Sequence, residues 1–371
     1  MSWIVAARRT AVVPAGGAFR RLAVHDMAAP VIRACLADAG IAPQDVDEVI
    51  LANALGAGGN PARLAALASG LPDRVAGLSL DRQCVGGLDA VLLARALVDS
   101  GAARTVVAGG AESYSRRPLR YATDPDGGPP VAYDRPAFTP FAGRDPEMHV
   151  AAAALAQHLG LGRDRLDAYA IASHAKAMAA RLDLRAEIVP LVGVLDDAFS
   201  RVLTPTLAAR ARVLQGVVTA ANTAVAADAA AFVVVCRDPV GPNPMRILAG
   251  ATRGGVPDAP FLAPVVAVAE VLAQLNLRST ALAIAEIMEA YAAQVIATVD
   301  VLGLDPAIVN PQGGALARGH PIGASGAILA VRLFHGLKQG QGLAAVAAAG
   351  GIGTALVVQR QTWPNQVEIC G

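Results

Sequence analysis

The sequence predicts an α/β protein built from two similar layered halves, with a looped excursion set between them. Three observations carry the prediction. Strand-like and helix-like signals alternate along the chain, one glycine-punctuated helix–strand unit occurs twice, and a stretch of different texture separates the two occurrences.

Residues 46–52 form a short apolar run after an Asp-rich turn, which reads as a strand. Residues 87–97 read as a helix, and residues 104–108 (RTVVA) as a buried strand that enters a double glycine. Later, residues 322–337 read as a helix and 343–348 as a buried strand entering Gly350 and Gly351. This alternation predicts a largely parallel sheet with helices on both faces. The echo between the halves is closer than class alone requires. Cys84-Val-Gly-Gly opens one helix, a Ser100-Gly101 turn follows, and VVAGG ends at Gly110. Gly323-Ala-Ser-Gly opens the other, a Gln339-Gly340 turn follows, and VAAAGG ends at Gly351. From Gly87 to Gly110 is 23 positions and from Gly326 to Gly351 is 25. Two copies of one unit pack as layered sheets, with a site where the helix openings meet. Residues 116–147 break the pattern, being rich in Pro, Gly, Asp and aromatics, and helices are expected at 148–159 and 165–182. The predicted division is 1–115 and 213–240 for the first half, 116–212 for the insertion, 241–361 for the second half, and a frayed tail at 362–371.

Composition removes several classes of function. Of 371 residues, 54% are hydrophobic and 16% charged, so a large core is expected and disorder is not. The net charge of +1, without a basic run, argues against nucleic acid and anionic membrane surfaces as partners. The two most apolar stretches, 216–236 and 342–358, carry Asn222 and Asp228 in one and Gly350, Gly351 and Gly353 in the other, so no membrane span is expected. The opening MSWIVAARRT places Arg8 and Arg9 after a very short apolar run, unlike a secretory signal, and a soluble cytoplasmic protein is expected. Cys35, Cys84, Cys236 and Cys370 show no metal-ligand spacing, and neither a disulfide framework nor a bound metal is expected.

Two positions stand out chemically. Cys84 precedes a helix in DRQCVGGLDAV, where the macrodipole and exposed N–H groups favour a thiolate and Gly86 and Gly87 permit close approach by a thioester. By itself it is equally compatible with a small buried thiol. His320 lies in GGALARGHPIGASG, a costly loop for a core, which implies that something approaches it closely. The loop lacks both the Walker A lysine and the dinucleotide glycine order. A cysteine paired with a histidine suits covalent acyl transfer. Glu289, in EIMEAYAAQV, reads first as a solvated helix charge.

The segments NPARLAALASGLPD, DRQCVGGLDAV, VVAGGAESYS, GVVTAAN, MEAYAAQ, VNPQGGALARGHPIGASGA and AAAGGIGTALVVQR together resemble the thiolase family, in its order and spacing, over nearly the whole chain. The resemblance implies a duplicated αβαβα five-layer core with an inserted loop domain, acyl transfer between coenzyme A thioesters without a further cofactor, and a homodimer or homotetramer. It implies Cys84 as the acylated nucleophile, His320 as its activating partner, Gly351 with the Cys84 N–H around the thioester oxygen, and Met148 in the pocket wall.

The departures are equally specific. Ala347 stands where the family has a second cysteine, the base for the α-proton of acetyl-CoA, and alanine removes no proton. The family's Asn-Glu-Ala-Phe is Met288-Glu289-Ala290-Tyr291, which loses the asparagine that organises the enolate site, a type of loss that costs about 10²–10³ in rate. Ala224 replaces a serine that meets coenzyme A, and the shortened segment 192–209 leaves Arg201 as a candidate phosphate contact. The expectation is an acyltransferase that acylates Cys84 but is impaired in, or altered for, carbon–carbon chemistry. A protonated Glu289 is one candidate replacement donor. The alternative is a non-catalytic acyl-CoA-binding or scaffolding subunit, for which retaining both Cys84 and His320 serves no purpose.

Overall fold

The computed structural model describes residues 1–361, and the expected frayed tail at 362–371 lies outside them. In the first half, strands β1 (Trp3–Arg9), β2 (Glu48–Ala52), β3 (Leu78–Leu80), β4 (Thr105–Glu112) and β5 (Ala227–Cys236) join helices α1 (Val24–Ala39), α2 (Pro61–Ala68) and α3 (Gly86–Ser100). The insertion contributes α4 (Met148–His158) and α5 (Arg163–Ala179). The second half adds β6 (Met245–Gly254), α6 (Ala263–Gln274), β7 (Leu282–Ile287), α7 (Ala292–Leu302), α8 (Ile322–Gly336), β8 (Gly340–Ala348) and β9 (Ile352–Arg360).

The strand order repeats. In the first half it runs β3-β2-β4-β5-β1, with β3, β2 and β4 parallel and β5 antiparallel to its neighbours β4 and β1. In the second half β7-β8-β9-β6 follows the same plan, one parallel pair and then two antiparallel ones. Both sheets are therefore mixed, which corrects the expectation of a largely parallel sheet. The helix–strand units do pair in parallel, but in each sheet one inner strand, β5 in the first and β9 in the second, runs antiparallel to both of its neighbours. Short pairing of β1 with β6, at Trp3↔Arg246 and Ile4↔Met245, runs the two sheets into one path.

Burial defines five layers. One apolar cluster lies under α1 and α2, a second under α6 and α7, and the largest fills the space between the sheets, where α3 and α8 pack on each other. The α3–α8 contact explains two glycines of the echo. A Cβ on Gly87 would stand 2.6 Å from the Ala327 nitrogen, and one on Gly326 would stand 2.5 Å from the Leu88 nitrogen. Only glycine lets these helix openings touch. Gly87 thus serves helix packing and not the entry of a thioester, and Gly86, whose Cβ would meet Ala52 at 3.0 Å, does likewise. Among the described residues no helix is long and apolar enough to cross a membrane.

Candidate active site

Cys84 sits in a single 3-10 turn, Gln83–Val85, immediately before α3. Gln83 adopts a left-handed backbone (φ 53°), and its N–H donates to Asp81 Oδ1 at 2.8 Å. That uncommon conformation for a side-chain-bearing residue turns the chain sharply at Cys84. His320 precedes α8, and its backbone N–H donates to Val225 O at 2.7 Å. Because α3 and α8 cross at their glycines, the two openings converge and bring His320 Nε2 to 3.2 Å from Cys84 Sγ.

A residue that sequence reasoning passed over orients the imidazole. Ser325 Oγ lies 2.6 Å from His320 Nδ1 and donates its own proton to Pro321 O at 3.1 Å. With that hydroxyl proton committed, Oγ accepts from Nδ1–H, which leaves the Nε2 lone pair facing the thiol. The available signal was positional: Ser325 is the only hydroxyl in PIGASGA, one turn into the helix that follows the histidine. Burial pushes the thiol up to about 12, against the pull of its own backbone N–H, and pushes the imidazole down to about 4. Both shifts favour a neutral thiol beside a neutral imidazole. Desolvation thus opposes the thiolate that the helix dipole favours.

The sulfur opens on a cavity of about 370 Å³. Met148, Ala224 and Ala347 line it, as the sequence led us to expect, together with Ala290, Phe138 and Phe261. Gly351 sits on the turn between β8 and β9 (φ 78°), where its carbonyl accepts from Gly255 N; its hairpin neighbours Ala347 and Ala349 reach the wall.

Three candidates lie elsewhere. Met288 is buried in the central core and does not line the cavity. The Arg201 guanidinium lies 4.0 Å from the Phe199 ring and donates to Phe199 O, away from the cavity. Glu289 is neither a solvated charge nor a group facing the sulfur. Its buried carboxyl accepts from Asn310 Nδ2 at 2.7 Å, Ser173 Oγ at 2.7 Å, Tyr169 OH at 3.2 Å and Leu316 N at 3.2 Å. It pins the loop that leads to His320, pressed so closely on Gly314 that a Cβ there would overlap its carboxyl carbon at 2.0 Å. The approach inferred from the glycine-rich loop is real, but here the approaching group is the protein's own carboxylate.

Sequence reasoning also missed Glu112. Its buried carboxyl accepts from Asn53 Nδ2 at 2.6 Å, Ala54 N at 2.9 Å, Leu55 N at 3.3 Å and Gly323 N at 3.0 Å. It joins the cavity wall at Ala54 and Leu55 to the first turn of α8. Its position in the GGAES segment carried no signal, because its partners, the Asn53 side chain and three backbone N–H groups, are distant in the chain.

A duplicated five-layer fold with a cysteine and a histidine meeting at its centre defines a class of acyl-transfer proteins, and comparison with known proteins agrees. Residues 2–239 match the thiolase N-terminal domain and residues 243–360 the thiolase C-terminal domain, and the chain belongs to the thiolase family. It is 38% identical to YhfS of Bacillus subtilis over 96% of this chain and 98% of that one. It is 35% identical to an acetyl-CoA acetyltransferase of Cupriavidus necator over 96% and 99%. The Acat5 thiolase of Ascaris suum, solved in complex with coenzyme A, superposes with a TM-score of 0.90 at 29% identity, covering 97% of this chain and 99% of that one.

Proposed function

We propose that this thiolase takes an acyl group from a coenzyme A thioester onto Cys84, with His320 as the base. The observation that carries the reading is the 3.2 Å contact between Sγ and Nε2, with Nδ1 committed to Ser325. As the sulfur attacks the thioester carbonyl, its proton moves to Nε2; the carbon–sulfur bond to coenzyme A then breaks, and the leaving sulfur takes that proton. The Cys84 N–H receives the carbonyl oxygen, and Gly351, on the hairpin that reaches the cavity, is the expected second donor. No cofactor is required. A homodimer or homotetramer in the cytoplasm is the expected setting. An open cavity at the sulfur supports a catalytic role over a scaffolding one.

The carbon–carbon step is impaired, because Ala347 supplies no base where it lines the cavity. Intact-protein mass spectrometry with a panel of acyl-CoAs tests the reading. An adduct is expected on the native chain and none on Cys84→Ala. Steady-state acetoacetyl-CoA cleavage is expected to be feeble and to rise at least tenfold in Ala347→Cys, whereas Met288→Asn, which buries an amide in the core, gives no gain. Robust cleavage by the native protein would sink the impaired step, and lack of any Cys84 adduct would sink the acyltransferase.

A further inference from the structure

Two phenols line the cavity that holds Cys84 and His320: Tyr114, just beyond β4, and Tyr291, just before α7. Both are half-buried, and neither hydroxyl is hydrogen-bonded by another of the described residues. Tyr169 differs, because its hydroxyl is committed to Glu289. A phenol in a cavity without a protein partner has an O–H to offer whatever enters.

Tyr291 is also held rigidly. Its ring meets Phe261 edge-on, with centroids 5.3 Å apart at 64°, and packs on the cluster that contains Ala347. The ring is thus held on the side of the cavity that Ala347 lines. Burial, with the nearby Cys84 sulfur adding to it, pushes both phenols above their ordinary range. At neutral pH they are donors, not bases.

These features restrict what can take the acyl group from Cys84. A carbon acceptor activated by deprotonation, such as a second acetyl-CoA, needs a base for its α-proton, and position 347 has none. A neutral amine has one lone pair, which it must use to attack. A hydroxyl oxygen has two, so one can attack the thioester carbon while the other accepts a hydrogen bond. We propose that the acceptor is a hydroxyl group, of water or of an alcohol, and that Tyr291 donates to its oxygen while His320 Nε2 takes its proton. The carbonyl carbon–Sγ bond breaks, a carbon–oxygen bond forms, and the proton on Nε2 returns to Sγ, restoring the neutral pair. This assignment rests on acylation of Cys84 as argued above.

The test follows the second half-reaction directly. Protein preloaded with acetyl-CoA and freed of excess donor is monitored by intact mass at pH 8. The adduct is left in buffer, or given ethanol, n-butylamine or fresh acetyl-CoA. Loss of adduct to acetate in buffer alone identifies water as the acceptor, and acceleration by ethanol with formation of ethyl acetate identifies an alcohol. Tyr291→Phe is expected to slow this loss at least tenfold more than it slows adduct formation. Faster discharge by the amine or by acetyl-CoA than by either hydroxyl source overturns the assignment. So does a Tyr291→Phe adduct that discharges at the native rate, or a variant that slows both steps equally, as a packing defect would. If the adduct never forms on native protein, the acylation reading fails and the acceptor assignment falls with it. An adduct that forms normally but discharges independently of Tyr291 removes the acceptor assignment alone.

Discussion

At residue 320 one ring nitrogen faces a thiol and the other a serine, so the serine decides which of them carries the proton. Ser325→Ala removes that partner without touching the cavity. Losing one hydrogen bond of this kind is expected to slow Cys84 acylation by up to about tenfold, whereas His320→Ala, which removes the base itself, costs about 10²–10⁴-fold. Single-turnover adduct formation checks both. The shift toward a neutral pair has its own consequence. Alkylation of Cys84 by iodoacetamide is expected to stay slow at neutral pH and to climb through the alkaline range toward the raised thiol pKa of about 12. A flat rate from pH 5 to 8 would instead mark a thiolate–imidazolium pair. At this scale Cys84 and His320 were legible in the sequence, because each stands beside glycine-rich helix openings with few rivals. Ser325 and Glu112 were not, because their importance lies in the partners they meet.

Two helices decide whether that pair exists. The α3–α8 crossing places the turn at Cys84 and the loop at His320 side by side, and it depends on Gly87 and Gly326. Gly326→Ala drives a methyl into the Leu88 backbone. Overpacking of this kind costs about 1–3 kcal/mol, and the variant is expected to lose acylation more steeply than stability, since the added atom wedges the two openings apart. Urea unfolding together with single-turnover acylation separates the two effects, and equal losses would deny the crossing its special role. The helix–strand echo was readable because period and glycine punctuation are local. The antiparallel course of β5 was not, because strand direction depends on partners more than a hundred residues away, as in its pairing with β1.

A buried charge network ties β1 and α8 to the segment that carries Glu187 and Asp197. Arg9 pairs with Glu187 and Asp197 at 2.6 Å each, Arg332 of α8 pairs with Glu187 from the other side, and all four side chains are buried. Burial alone would push the Glu187 carboxyl up; Arg332 and Arg9 outweigh it and hold it at about 2. A carboxyl depressed on folding contributes its stability above its unfolded pKa and loses it as pH falls through the folded one. Stability is therefore expected to drop by roughly 3 kcal/mol between pH 5 and pH 2 on this account alone. Arg332→Met, which leaves part of that charge uncompensated, is expected to cost about 3–5 kcal/mol at neutral pH. Urea unfolding across pH tests both, and an unaltered acid transition in the variant would contradict the coupling. None of this was visible in the sequence, where Arg9, Glu187 and Arg332 are ordinary charges far apart.

The sequence by itself determined the layered α/β class, the duplication, the insertion, and the pairing of Cys84 with His320 as the place to look for chemistry. These follow from local patterns: hydrophobic period, glycine spacing, and residue types rare enough to stand out. Only the tertiary structure decided that burial favours a neutral pair, that Glu289 holds a loop, that Met288 and Arg201 stand clear of the cavity, and that Tyr291 lines it. Protonation, burial and hydrogen-bond partnership are properties of neighbours in space, and those neighbours come from segments that the chain order keeps far apart.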